Sequence, residues 1–331
     1  MSLFSERLIR YGDLIPCKNA FIDTRSPGSD QKENFTIIGP GVAENPNQHV
    51  HISIPHGFNI GGARQPAGCL NSQHSHLTEE IFVVHTGTWA FYTGVDGKDA
   101  KVILNEGDII SIPMDIFRGF ENIGNDIGYL YAVLGSDDPG RVLWAPQVFD
   151  MAEQFGLILL ENGSLVDTTL NEMIPAGIKP MAKTSAEQIA QHRIITDDEL
   201  AKTVVKASEF NWCQNSYLSQ FKGVFEAPLV GKLNAETCIQ TQLNWNHGFN
   251  ISALKLMPDS VIPLHQRFEE EVIFVQQGSL TVEIGSEHIT LTKGDTFSVP
   301  IEHLRTFSNA SNDECIVYIT RRNDSPLDPR F

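Results

Sequence analysis

Short runs of β-branched and aromatic residues, each closed by Gly, Pro, Asn or Asp, recur along most of the chain. Glu80-Ile81-Phe82-Val83-Val84, Asp108-Ile109-Ile110-Ser111-Ile112, Val272-Ile273-Phe274-Val275 and Ile316-Val317-Tyr318-Ile319 all read as strands. Runs of this kind at roughly 8–12-residue spacing predict an all-β barrel or sandwich. A different texture lies between the two strand-rich halves. Pro146 to Phe155 places Val148, Ala152 and Phe155 on one helical face, with Gly156 as its stop. Ser185-x-x-Gln188 and Thr196-x-x-Glu199 have the pattern of capping boxes opening two short helices. Residues 161–206 are therefore expected to connect one barrel over 1–160 to another over 207–331.

An internal repeat organises the pattern. His56-Gly57-Phe58-Asn59-Ile60 recurs as His247-Gly248-Phe249-Asn250-Ile251, and His74, Glu80 and Gly87 map onto His265, Glu271 and Gly278 by the same offset of 191 residues. Gly107, Pro113, Arg118 and Asn122 map onto Gly294, Pro300, Arg305 and Asn309 by 187, so the first half carries a loop four residues longer. That loop falls in Gly94-Val95-Asp96-Gly97-Lys98-Asp99, a turn-rich stretch where hairpin connections tolerate insertion. A fixed offset through several separated blocks marks two copies of one architectural unit.

Charge and cysteine usage narrow the function classes. The net charge of −17 over 331 residues, with no Lys/Arg-rich run, argues against nucleic acid and anionic membranes as partners. Neither a signal peptide nor a membrane span is legible, which makes a cytoplasmic protein the expectation. Cys17, Cys69, Cys213, Cys238 and Cys315 are odd in number and contain no CxxC pair, so reduced thiols are expected.

The first half contains Gly68-x5-His74-x-His76-x3-Glu80-x6-Gly87, then Gly107-x5-Pro113 and Asn122. His74 and His76 lie two apart on a probable strand and so share a side, which Glu80 can reach from the next strand. Two imidazoles and one carboxylate form a three-ligand face suited to Fe(II) and compatible with Mn, Ni or Zn. An isolated His-x-His pair is more often two ordinary polar residues; the glutamate and glycines in register make the ligand reading the stronger one. By strand parity Phe82, Val84 and Phe120 face inward and give the pocket apolar walls, whereas His85 and Cys69 face away. Trp89 and Tyr92 are read as core, and His56 and His247 as turn or strand-entry residues.

These residues resemble the cupin motifs. The first, G(X)5HXH(X)3-4E(X)6G, is matched throughout, while the second, G(X)5PXG(X)2H(X)3N, departs at Asp115 and at Arg118, which stands where the family has a histidine ligand. The resemblance spans both halves, about two thirds of the chain, and implies two tandem double-stranded β-helix (jelly-roll) barrels with a few short connecting helices. A guanidinium cannot ligate a cation. Arg118 therefore either pairs with Glu80 and excludes the metal, or stands beside a three-ligand ion and orients an anionic substrate; the retained His74, His76 and Glu80 favour the second. In the second half the frame reads His265-x-Arg267-x3-Glu271 with Arg305, a degenerate site expected to carry net positive charge and to repel a divalent cation. It is read either as a buried salt-bridge cluster or as an anion site, with His303 not counted as a ligand.

Two-barrel cupins of this length are similar to quercetin and gentisate dioxygenases. That resemblance implies a metal-dependent oxidoreductase of dioxygenase type, with a divalent ion, Fe(II) first, on His74, His76 and Glu80 and a small anionic aromatic or enol substrate against Arg118, Phe82 and Phe120. Two alternatives stay open: a non-catalytic bicupin that binds a small anion, and a redox-neutral isomerase or decarboxylase. Association into homo-oligomers is also left open.

Overall fold

The computed structural model describes residues 4–213, 215–232 and 240–331, which leaves Cys238 outside the described residues. The chain forms two compact units. One comprises Ile15–Ser53 and Asn59–Ala207; the other takes the amino-terminal residues up to Leu14, then Ile54–Phe58 and Ser208–Phe331. The chain is mostly β, as the strand pattern predicts, and its few helices are short.

Among the described residues, strands of four or more residues number nine in each half. In the first they are β1 (Glu33–Ile38), β2 (Phe58–Gln65), β3 (Leu70–Ser75), β4 (Glu80–Thr86), β5 (Trp89–Thr93), β6 (Lys101–Leu104), β7 (Ile109–Ile112), β8 (Arg118–Asn122) and β9 (Gly128–Gly135). In the second they are β10 (Val224–Gly231), β11 (Phe249–Leu256), β12 (Val261–His265), β13 (Glu271–Gln277), β14 (Ser279–Ile284), β15 (Glu287–Thr292), β16 (Thr296–Val299), β17 (Arg305–Ser308) and β18 (Cys315–Arg322). The first half has sheets ordered β7-β4-β9-β2-β1 and β3-β8-β5-β6; the second has β16-β13-β18-β11-β10 and β12-β17-β14-β15. Each strand of the first half thus has its counterpart nine strands later in the same place.

The repeat also fixes the details of the backbone. Gly68 has φ +74, and Asp259, which replaces it in the second copy, keeps the left-handed conformation with φ +61. An Asp side chain tolerates this region better than most residues because it hydrogen-bonds locally. The outer edges of β7 and β16 would expose unpaired backbone groups. Val204–Val205 pairs antiparallel with β7, and Leu8–Ile9 does the same for β16.

Inward-facing residues of facing sheets build the cores. Phe82, Val84, Trp89, Phe91, Ile110, Phe120 and Leu130 form that of the first unit, and Leu254, Ile273, Val275, Leu280, Phe297, Phe307 and Ile319 that of the second. Each such side chain contributes ~1.5–3 kcal/mol on burial, which fixes the strand register by making a one-residue slip prohibitive. The helix Pro146–Gln154 ends at Gly156, at φ +83, and packs Val148, Phe149 and Ala152 into a further cluster with Trp144 and Phe117. Phe155, expected on that buried face, is instead 39% exposed because the helix ends one residue earlier. Both capping boxes form: Ser185 opens Ala186–Ile189 and Thr196 opens Asp197–Ala201. Cys17, Cys69, Cys213 and Cys315 are free thiols, and among the described residues no helix is long and apolar enough to cross a membrane.

Candidate metal centre

The first unit brings His74, His76 and Glu80 together. Their ligand atoms lie within 4.8 Å of one another and all three side chains are buried. His74 comes from β3 and His76 from just beyond it, in the smaller sheet, while Glu80 opens β4 in the larger one. His74 stands directly opposite Arg118 of β8 on one side and Trp144 on the other. Its ring packs on the Trp144 indole at a centroid distance of 5.1 Å.

The donor set suits a divalent cation. His74 Nδ1–H donates to the Ser72 carbonyl at 2.6 Å, which leaves Nε2 as the lone-pair nitrogen. Burial, together with the charges of Arg118 and Lys32, holds that imidazole well below its ordinary value of 6.5, so it is neutral. His76 Nε2 lies 3.5 Å from Glu80 Oε2, and its Nδ1 has no hydrogen-bond partner among the described residues. Burial pushes the Glu80 carboxyl up to about 8.

Of the two arrangements open to Arg118, the structure has the paired one. Its Nη2 donates to Glu80 Oε2 in a short hydrogen bond, and Nη1 donates to the His74 carbonyl at 3.2 Å. Arg118 is 1% exposed and is absent from the walls of the adjoining pocket. Glu80 Oε1 takes no part in this pairing. One carboxylate oxygen and two imidazole nitrogens therefore remain for an ion, so the residues fit a divalent metal, with Arg118 competing for the carboxylate.

A pocket with about 680 Å³ of empty space, open solvent included, opens onto these residues. Phe21, Phe35, Ile60, Phe82, Phe120, Leu134 and Trp144 make most of its wall, and no lysine or arginine lines it among the described residues. Phe82 and Phe120 lie where strand parity puts them. Val84 belongs to the core below, and His85 packs edge-on against Tyr129. Trp89 is core, and Tyr92 Oη donates to Glu121.

Sequence reasoning missed a supporting layer. Glu44, wholly buried, accepts from Trp144 Nε1 at 2.6 Å and from the Ile22 amide at 2.7 Å, which fixes the indole behind His74. Lys32 donates to Asp23 and, at 2.7 Å, to Asn71 of the pocket wall. Glu44, Asp23 and Lys32 lie in loops that carry no motif.

The second unit repeats the frame with different chemistry. Arg305 Nη2 donates to Glu271 Oε1 at 2.9 Å and Nη1 to the His303 carbonyl at 3.1 Å, mirroring Arg118. Arg321 Nε also donates to Glu271, at 2.8 Å, and Arg267 Nε lies 3.2 Å from it. Burial would raise the Glu271 carboxyl, but the three guanidiniums hold it far below the carboxylate range. Glu269 pairs with Arg267 at 2.7 Å and Glu226 with Arg321 at 3.2 Å. The cluster is thus balanced, three guanidiniums against three carboxylates, rather than net positive as the motif residues alone implied. Arg321 was detectable as the charged residue that the 187-residue offset places opposite Leu134. Burial lowers His265 to about 4, so it too is neutral.

Comparison with known proteins agrees with this architecture. The cupin domain family matches residues 63–134 and 253–320, one match in each repeat. A germin-like protein of Mesembryanthemum crystallinum is 32% identical over 127 residues, 35% of this chain and 53% of that protein. Germin-like protein subfamily 1 member 10 of Arabidopsis thaliana is 34% identical over 83 residues, 24% of this chain. The chain spans only 37% of the length of the Arabidopsis relative. Among solved structures, a Lactobacillus farciminis oxalate decarboxylase in a formate complex superposes with a TM-score of 0.60 at 12% identity, covering 100% of this chain and 90% of that one. Bacillus subtilis oxalate decarboxylase at pH 4.6 gives 0.58 at 11% identity, covering 100% and 80%. The chain thus carries two cupin domains, one in each repeat, and shares the fold of these solved structures over its full length.

Proposed function

We propose that the protein is a metal-dependent oxidoreductase of dioxygenase type, acting on a small aromatic or enol compound in its first barrel. The observation that carries this reading is the apolar, phenylalanine-walled pocket opening directly onto His74, His76 and Glu80. A flat ring fits between such walls, and the want of a pocket lysine or arginine disfavours a small dicarboxylate. The three side chains would hold the ion, Fe(II) by preference or Mn, Ni or Zn, and Arg118 acts through Glu80 rather than by touching the substrate. Such an ion supplies Lewis acidity and, where redox-active, a route for electrons to dioxygen. Phe82 and Phe120 position the ring and exclude water, while the Glu44–Trp144 contact keeps the His74 ring fixed.

The test is oxygen uptake by protein loaded in turn with Fe(II), Mn(II) and Ni(II), against catechols, gentisate and flavonols. Uptake with any of them supports the reading, turnover under argon points to the redox-neutral isomerase or decarboxylase, and neither would leave no enzyme of this kind. One observation favours a metal-free, non-catalytic binding protein: Arg118 already satisfies the Glu80 carboxylate. Metal analysis of protein purified without chelators separates that reading from the first.

A further inference from the structure

The second barrel has its own pocket in the equivalent position, with about 520 Å³ of empty space. Strand register matches the two linings residue by residue: Asn34 becomes Glu226, Gly61 becomes Ser252, and Leu134 becomes Arg321. His76 becomes Arg267 by the 191-residue offset. An apolar, ligand-shaped space has turned into a charged one without being filled. Segment Ser325–Pro329 and Lys232 complete its rim.

A buried salt-bridge cluster that merely filled the barrel would use up its donors. This one does not. Arg321 gives Nε to Glu271 and Nη1 to Glu226 and Ser252 Oγ, but its buried Nη2 has no partner among the described residues. Arg267, by contrast, gives Nη1 to Glu269 and to the Leu327 carbonyl. A buried guanidinium nitrogen without an acceptor is costly, and a group left so in a polar cavity calls for a missing acceptor. Lys232, Arg267, Arg305 and Arg321 stand against Glu226, Glu269, Glu271 and Asp328, so the pocket lacks an acceptor for a donor rather than a countercharge.

We propose that this second pocket binds a small molecule through a single carboxylate, which accepts from the unpartnered Arg321 Nη2. A carboxylate gives a guanidinium a charge-assisted acceptor that an amide lacks, and a phosphate dianion brings twice the charge into a cluster already balanced. The site is independent of the first-barrel metal and needs none.

The experiment is calorimetric titration of the full chain in EDTA with acetate, benzoate and succinate, using acetamide, benzamide and inorganic phosphate as counterparts. Saturable binding of a carboxylate, absent for its amide and weaker for phosphate, is expected. Lys232→Glu, at an exposed position, should weaken it about fivefold, the upper end for one exposed ion pair. Glu226→Gln, nearly isosteric, frees Arg321 and should tighten it. Arg321→Met strands Glu271 and could unfold the barrel, so the two milder variants decide the question. Carboxylates that fail to bind, or that bind equally in wild type, Lys232→Glu and Glu226→Gln, would overturn the proposal and leave a structural cluster.

Discussion

Replacing Arg118 should strengthen metal binding, although no residue in the ligand set changes. In the structure Arg118 occupies one oxygen of Glu80 through a buried charge-assisted hydrogen bond. An ion that coordinates Glu80 must break or share that bond, which is worth ~1.5–3 kcal/mol. Arg118→Met removes the competitor and should tighten divalent-ion affinity about ten- to a hundredfold, since each ~1.4 kcal/mol is a factor of ten. Arg118→His also offers an imidazole opposite His74 and should exceed Arg118→Met. The assay is competition of Mn(II) or Zn(II) against a chelating dye, with metal content by elemental analysis after dialysis and His76→Ala as the blank. Melting in EDTA supplies the control, because loss of a buried pair destabilises the metal-free protein by ~3–5 kcal/mol unless Glu80 takes up a proton. Burial favours that protonation once the guanidinium is gone. If wild type and both variants bind equally, Arg118 does not contend with the ion for Glu80, and the competitive reading of the site is wrong.

Three further outcomes follow from the same geometry. Arg267→His with Arg305→His restores the metal-motif histidines of the second barrel yet should acquire no ion in the same dye assay, since Arg321 still holds Glu271 at 2.8 Å; stoichiometric uptake would contradict this. Burial raises Glu44 to about 8, so its contribution to stability is fully present below ~4.5 and is lost as pH rises through about 8, with a slope of at most ~1.4 kcal/mol per pH unit. Glu44→Gln lacks that slope, and urea titrations from pH 5 to 9 should show its stability deficit against wild type shrinking as pH rises; parallel curves would refute it. At Gly62 an added Cβ would sit 2.2 Å from Tyr129 Oη, so Gly62→Ala should cost about 1–3 kcal/mol by overpacking in denaturant melts, and an unchanged midpoint would show that the ring moves aside freely.

The repeat made the architecture legible because burial on one face fixes strand parity, so an offset found in a few motif residues extends along whole strands. Even the loop difference between the copies lies at a hairpin, between β5 and β6. Helix ends were less secure: Phe155 and Phe149 are both apolar, and only packing decides which is buried. His74, His76 and Glu80 were legible through spacing, since residues two apart on a strand share a face. The partner of Arg118 was not, because a guanidinium beside Glu80 and one turned to a ligand call for the same residue at the same position. Glu44, Trp144, Arg321 and Glu226 come from segments far from the motifs, where nothing local marks a residue as part of the site.

The two barrels differ in a way that electrostatics makes all-or-none. Both keep one arginine–glutamate pair, Arg118 with Glu80 and Arg305 with Glu271, each arginine opposite a histidine and each bonded to a backbone carbonyl. Exchanging His76 for an arginine in that setting adds a buried positive charge, which the interior tolerates only with a carboxylate to match. The second barrel supplies Glu269 for Arg267, and it adds Arg321 and Glu226 as a further pair. No single exchange among these residues leaves the interior neutral, so a chain with any one of them alone would strand a buried charge. The first barrel instead keeps His76, Leu134 and Asn34 at the three positions. An apolar cavity and a charged one are therefore alternative closed sets of residues on one scaffold.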